Sequence, residues 1–207
     1  EVKRGDCGYD DSWDDCKKDR ERHELSSRRK IKGGEYWYSW SIFLPDNFIN
    51  IHPTKVAMYQ FHQGHPSPPV WMFQNVNGGY YIDNQVRCCG ISKWVKPILE
   101  KKEMLGKWND ILLNVNWTHK ENGFFRIWVN GKLALKFKGS TKTKGTSVYA
   151  KFGIYRSYMS RFKEKNNTDK VPGQVVYYDE VRTGKTCEKL KIEELSYNCK
   201  DLLATIN

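Results

Sequence analysis

With 207 residues, 39% of them hydrophobic and 14% aromatic, the chain is long enough to bury a core and too apolar to be a disordered segment. No apolar run approaches the ~18 residues of a membrane span, and the opening EVKRGDCG does not read as a signal peptide, so an export signal was removed or never present. The formal net charge of +11 favours a polyanionic partner: nucleic acid, an anionic membrane surface or an acidic polysaccharide.

Strand-like alternation dominates the chain. RERHEL (20–25), read as extended, places Arg22 and Glu24 on one face, where the plain alternative is a salt-bridge ladder between strands. EYWYSWSIFL (35–44) sets Tyr36, Tyr38, Trp40, Ile42 and Leu44 on one face and ends at Pro45-Asp46-Asn47. KVAMYQFH (55–62) puts Gln60 and His62 with Val56 and Met58, opposite Ala57, Tyr59 and Phe61. WMFQNV (71–76) and YYIDNQV (80–86) flank Asn77-Gly78-Gly79 as a hairpin. In ILLNVNW (111–117), Asn114 and Asn116 oppose Leu113, Val115 and Trp117. FFRIWV (124–129), Asn130-Gly131 and KLALKF (132–137) make the strongest hairpin, because Asn-Gly suits a type I′ turn. AKFGIYR (150–156) and QVVYYDEVR (174–182) complete the set, with polar loops at 138–147 and 157–173. Helical patterning is confined to short stretches near 93–105 and 187–204.

About ten strands with tight turns predict an all-β sandwich or jelly roll, in a single domain over residues 1–207. The six cysteines form no CxxC pair, and the histidines lack zinc-finger spacing. Two or three disulfides in an exported protein are the better reading. Cys7 and Cys16 bracket one loop, Cys187 and Cys199 bracket another, Cys88 and Cys89 are adjacent, and the pairing stays open.

In AKFGIYR, Lys151, Gly153 and Tyr155 share a face against Phe152 and Ile154. Together with Gln60 and His62, and with Asn114 and Asn116, three strands thus offer hydrogen-bonding faces that suit a groove lining. Gly153 would leave room there for a sugar ring. The alternative is a solvated face with an incidental glycine bulge.

The order RERHEL, GEYWYSWSIFLPDNF, YQFHQ, GKWNDILLNVNW, GFFRIWVNGK, YAKFGIYR and VYYDEVRTG resembles the heparin-lyase-like polysaccharide lyases, a group that includes the glucuronan lyases. The resemblance spans roughly residues 20–184. It implies a concanavalin A-like β-jelly roll of two sheets with an open concave cleft, and β-elimination at a uronic acid. It also implies that a histidine and a Lys-x-x-x-Tyr strand supply the catalytic groups, here His62 and Lys151 with Tyr155. The loop between Cys7 and Cys16, the Cys88-Cys89 pair and the tail beyond 186 do not map onto the family and stand to reshape the ends of the cleft.

Such a lyase removes the C5 proton of a uronate and expels the oxygen on C4, so the neighbouring carboxylate must be neutralised. Gln60, Arg22, Asn114, Asn116 and Arg156 are the candidates for holding the substrate, although Arg156 has the opposite parity from Tyr155. Tyr155 is assigned the proton donor to the leaving oxygen and a candidate base, its pKa lowered by cations such as Lys151. His62 is the alternative base or a carboxylate partner, and Lys151 stabilises charge. The chemistry needs no cofactor. By analogy with lectin-like jelly rolls, Asp179 is a candidate ligand of a structural calcium, against a plain surface aspartate.

A non-catalytic carbohydrate-binding module of the same fold is the main competitor. A glycoside hydrolase is disfavoured because no strand carries paired carboxylates on one face. Nucleic-acid binding lacks any RNP, zinc-finger or helix-turn-helix pattern. The expected picture is therefore a secreted, periplasmic or extracellular monomer acting on an acidic polysaccharide, with neither a nucleic acid nor a membrane as partner.

Overall fold

The computed structural model of the protein describes residues 1–11, 13–64, 68–86 and 94–206, so Cys88 and Cys89 lie outside the described residues. Thirteen strands among them are β1 (Tyr9–Asp10), β2 (Trp13–Asp14), β3 (Arg20–Ser26), β4 (Gly34–Phe43), β5 (Lys55–Gln63), β6 (Trp71–Val76) and β7 (Gly79–Asn84), then β8 (Trp94–Leu99), β9 (Trp108–Trp117), β10 (Phe124–Val129), β11 (Lys132–Lys138), β12 (Val148–Ser157) and β13 (Tyr177–Gly184). One sheet has the order β3-β12-β5-β6-β7-β8, a second has β11-β10-β9-β4-β13, and β1 with β2 forms a small ribbon. All pairings between these strands are antiparallel. This is the two-sheet jelly-roll sandwich that the alternation predicts.

The inward face of β4 places Tyr36, Tyr38, Trp40 and Ile42 in one cluster with Tyr59, Phe61, Phe73, Trp117 and Phe125. Trp40 stacks on Tyr59 with ring centroids 3.9 Å apart, and Trp71 stacks on Phe125 at 4.0 Å. Aromatic rings packed this way supply area burial plus a stacking contribution of about 0.5–1.5 kcal/mol per pair.

The outer face of the five-stranded sheet is also covered. Trp37, Leu112 and Trp128 pack against Cys187, Leu190, Ile192 and Leu202 of the C-terminal segment. Cys187 and Cys199 form a disulfide there, with Cα atoms 5.9 Å apart. The tail beyond 186 therefore seals the back of the sandwich instead of reshaping an end of the cleft. Its helical pattern becomes two 3-10 turns and a short helix (Cys199–Ala204). The stretch near 93–105 is mostly the strand β8, followed by one helical turn (Lys101–Met104). Pro97 is tolerated because β8 is an edge strand.

Two irregularities decide which residues reach the open face of the six-stranded sheet. The β12–β5 register shifts between Phe152 and Tyr155, and the β5–β6 register shifts between Ala57 and Tyr59. Ala57 therefore pairs with Tyr155, while Val56 and Met58 join the core cluster. Strict alternation had grouped Val56 and Met58 with Gln60, and the bulge reverses that for the first half of β5. Gly153 sits in the bulged stretch with φ +130°, and a Cβ on it would lie 2.2 Å from the His23 carbonyl oxygen. The absent side chain makes room for the backbone of β3, not for a sugar ring.

Candidate active site

The register lays out a line of functional groups along β12. Antiparallel partners share a face. His62 lies opposite Tyr149, Gln60 opposite Lys151, Glu24 opposite Gly153, Arg22 opposite Tyr155, and Arg20 opposite Ser157. These residues occupy the open face, since Phe152 and Ile154 between them pack with the core. Three adjacent strands, β3, β12 and β5, thus converge on one surface.

At the centre of the line, the largely buried Glu24 carboxylate accepts from Lys151 Nζ at 2.8 Å, from Gln60 Nε2 and, more weakly, from Arg22 Nη1 at 3.5 Å. Gln60 is itself buried, and its Oε1 has no hydrogen-bond partner among the described residues. One end of the line is built around Tyr155. Arg20 Nε donates to the Tyr155 hydroxyl at 2.8 Å, and the Arg22 guanidinium lies 4.3 Å from the Tyr155 ring centroid. Burial raises the Tyr155 pKa above its ordinary value, and Arg20 and Arg22 oppose this only in part. The lowering by Lys151 that the sequence suggested is not what the environment delivers; the cations that act on Tyr155 are these two arginines.

At the other end, burial lowers the His62 pKa, the Gln63 carbonyl works against it, and Lys151 adds to it. His62 Nδ1 faces the Gln63 carbonyl oxygen, which makes Nδ1 the N–H and leaves the Nε2 lone pair free in the neutral ring. Its ring centroid lies 5.4 Å from that of Tyr149. Burial also raises the Tyr149 pKa, reinforced by Glu24.

Comparison with known proteins shows the family. Residues 5–182 match the family model described as Polysaccharide lyase. The chain belongs to that family. The solved structures agree in fold: an endo-β-1,4-glucuronan lyase from the fungus Trichoderma reesei superposes with a TM-score of 0.63 at 20% identity, over 89% of this chain and 81% of that one. An alginate lyase from Pseudomonas aeruginosa gives 0.53 at 13% identity, over 80% of this chain and 75% of that one. No curated protein matches the chain by sequence.

Several residues expected to serve this lyase stand elsewhere. Asn114 and Asn116 belong to β9 of the five-stranded sheet, on the face turned away from the core. There Asn114 donates to Glu35 Oε1 at 2.8 Å and accepts from Arg126 at 3.0 Å, while Asn116 donates to the Asn122 carbonyl. They satisfy a polar network on the far side of the molecule and do not line the open face. Arg156 points into the core side, fully buried, and its guanidinium binds the Glu21 carboxylate. Its opposite parity from Tyr155 holds in the structure.

Asp179 lies on β13 and accepts from the Glu180 backbone N–H at 2.8 Å. Among the described residues no three His, Cys, Asp or Glu side chains gather as a metal site.

Two further groups at the candidate site were not among the expected residues. Tyr149 was legible, since it shares parity with Lys151 and Tyr155 two residues further back. Asp15 was not. The disulfide between Cys7 and Cys16, with Cα atoms 5.4 Å apart, closes a loop that brings the buried Asp15 carboxylate onto Arg22. Arg22 Nη2 donates to Asp15 Oδ1 at 2.6 Å, and Trp13 Nε1 donates to the same oxygen at 2.7 Å. Burial alone would push Asp15 up, yet the bonds from Arg22 and Trp13 hold it below the usual carboxylate value. This loop lies within the residues that the family model matches, against the expectation that it falls outside the family, and it is what holds Arg22 over Tyr155.

Proposed function

We propose that this lyase is exported and cleaves a 1,4-linked uronic-acid polymer by β-elimination, with glucuronan the first candidate. The observation that carries the reading is Tyr155, its hydroxyl bonded to Arg20 and its ring beneath Arg22, in line with Lys151, Gln60 and His62 on one open sheet face. The +11 charge fits an anionic polymer, and the disulfides Cys7–Cys16 and Cys187–Cys199 among the described residues fit an oxidising compartment. The likeness in fold to a glucuronan lyase supports the choice of polymer.

In a 4-linked D-glucuronate the C5–H and C4–O bonds lie on the same face of the ring, so one group can take the proton and return it. Tyr155 as phenolate removes the C5 proton. The electron pair passes into the C4–C5 bond, the C4–O bond breaks, and the tyrosine hydroxyl protonates the leaving oxygen. The Arg20 N–H and the Arg22 guanidinium stand ready for the phenolate charge. Lys151, Gln60 and Arg22 each retain N–H donors beyond those given to Glu24 and Asp15, and these meet the uronate carboxylate. Glu24 fixes their orientation. His62 Nε2 is the base for a polymer whose C5–H and C4–O lie on opposite faces, a second reading favoured by its depressed pKa and free lone pair.

The two bases differ in their pH dependence. A base works when deprotonated, and burial moves the Tyr155 pKa up from its ordinary ~10. With Tyr155 as base, kcat/KM on glucuronan is expected to climb about tenfold per pH unit from pH ~6 to ~9, because the phenolate fraction does so below its pKa. His62, shifted below its ordinary ~6.5, would be mostly deprotonated at neutrality and give a profile that levels off there. A steady-state profile that plateaus from pH ~7 upward would exclude Tyr155 as the base.

A further inference from the structure

Beyond Tyr155, at the β3 edge of the sheet, a second group of rings and cations remains unused by the chemistry above. The Arg20 guanidinium lies between two rings, 5.2 Å from the Trp13 centroid and 5.5 Å from the Tyr158 centroid. The Arg161 guanidinium lies 4.4 Å from Tyr158, and Lys18 Nζ lies 6.0 Å from Trp13. Trp13 is 37% exposed and Tyr158 41% exposed, so neither ring is part of the core. Among the described residues no carboxylate pairs with Arg161 or Lys18.

The backbone pays a cost to present one of these rings. Tyr158 has φ +60°, a conformation that disfavours every side chain and that glycine would adopt freely. It is held there by the Asp19 carbonyl, which accepts from the Tyr158 N–H at 3.0 Å, and by the Asp19 carboxylate, which accepts from Ser160 N and Oγ. Strained residues kept by their surroundings concentrate where a side chain has a task. Trp13 is fixed as firmly, through its N–H to Asp15 inside the loop closed by Cys7 and Cys16.

We propose that Trp13, Tyr158, Arg161 and Lys18 form a subsite for a uronate residue next to the one being cleaved. The two rings and the cations lying over them form an exposed platform for a pyranose, and Arg161 and Lys18 meet its carboxylate. Arg20 joins the two sites, since it touches both aromatic rings and the Tyr155 hydroxyl. This subsite rests on the reading of the protein as a uronate-polymer lyase, and it makes the enzyme prefer long chains to short ones.

The test compares wild type with Tyr158→Gly and Arg161→Ala on long-chain glucuronan and on the shortest oligosaccharide cleaved, together with retention of each protein in native gels containing the polymer. Glycine suits the backbone at 158, and Arg161 is exposed, so both variants should fold. Each is expected to raise KM for the long polymer about tenfold and leave kcat within about twofold, with the advantage of long over short chains shrinking in step. Gel retention should weaken in parallel. A long-chain KM unchanged in both variants would overturn the subsite. So would a fall in kcat at constant KM, because the rings would then act through Arg20 on Tyr155 and not on the polymer. If wild type yields no unsaturated product from any uronate polymer, it is the lyase reading that fails. The gels then decide the subsite alone: weaker retention in the variants upholds it, and equal retention overturns it.

Discussion

Tyr155→Phe is expected to lower kcat on the preferred polymer by roughly 10³-fold, within the 10²–10⁴ range of general acid–base groups. In the proposed reaction this phenol protonates the leaving oxygen, and the structure gives it a donor from Arg20 and a cation above its ring. Phenylalanine keeps the ring under Arg22 and gives up one hydrogen bond, so stability should fall by about 1 kcal/mol or less. KM should change little, since Lys151, Gln60 and Arg22 remain. Initial rates and a thermal melt check both halves. The obvious control is Tyr149→Phe, which removes the phenol beside His62. Turnover that survives in the first variant and vanishes in the second would transfer the acid role to Tyr149. A non-catalytic binding module would show no turnover to lose in either.

The second large effect concerns stability. Arg156→Leu is expected to cost about 3–5 kcal/mol, because it leaves the Glu21 carboxylate buried without its cation. Glu21 has few alternatives. Its other oxygen accepts the Gly5 N–H at 2.7 Å and so ties the N-terminal segment to the sheet. For a chain of this size the loss corresponds to a fall in Tm of roughly 10–15 °C. Pairing it with Glu21→Leu should restore much of the loss, as removing both members of a buried pair is far milder than removing one. The folded fraction of Arg156→Leu should keep its specific activity at low temperature. Normal stability with abolished turnover would instead return Arg156 to the catalytic face.

How far the sequence carries can be judged from particular strands. The core stripe of β4 was legible because period-two alternation of five large apolar residues has no other comfortable home. The face shared by Lys151 and Tyr155, and the exclusion of Arg156 from it, followed from parity along an unbroken register with β3. Parity does not reveal which sheet a strand joins. Asn114 and Asn116 look like groove residues by alternation, yet β9 runs in the opposite sheet and Glu35 and Arg126 engage Asn114. Nor does parity survive a bulge, which is why Val56 and Met58 turn inward while Ala57 meets Tyr155. Gly153 was noticed for the right reason, an unusual glycine in a strand, and explained wrongly. The close approach of the His23 carbonyl is a long-range contact that no local pattern encodes. The same holds for Asp15 and Trp13, which reach the site through a disulfide-closed loop. Glu24 had the appearance of one rung in a surface ladder, whereas burial makes it the hub that orients Lys151 and Gln60.

The central claim is elimination at a uronate, and ultraviolet absorbance near the region of conjugated carboxylates reads it directly. Elimination leaves a C4–C5 double bond conjugated to the carboxylate, whereas hydrolysis leaves none. The purified protein should be incubated with glucuronan, alginate and heparin-like glycans, with Tyr155→Phe alongside. A steady rise in absorbance on one of these polymers, strongest on glucuronan and lost in the variant, is the predicted result. A flat trace on every polymer, with chains shortened by hydrolysis or merely bound, would contradict it.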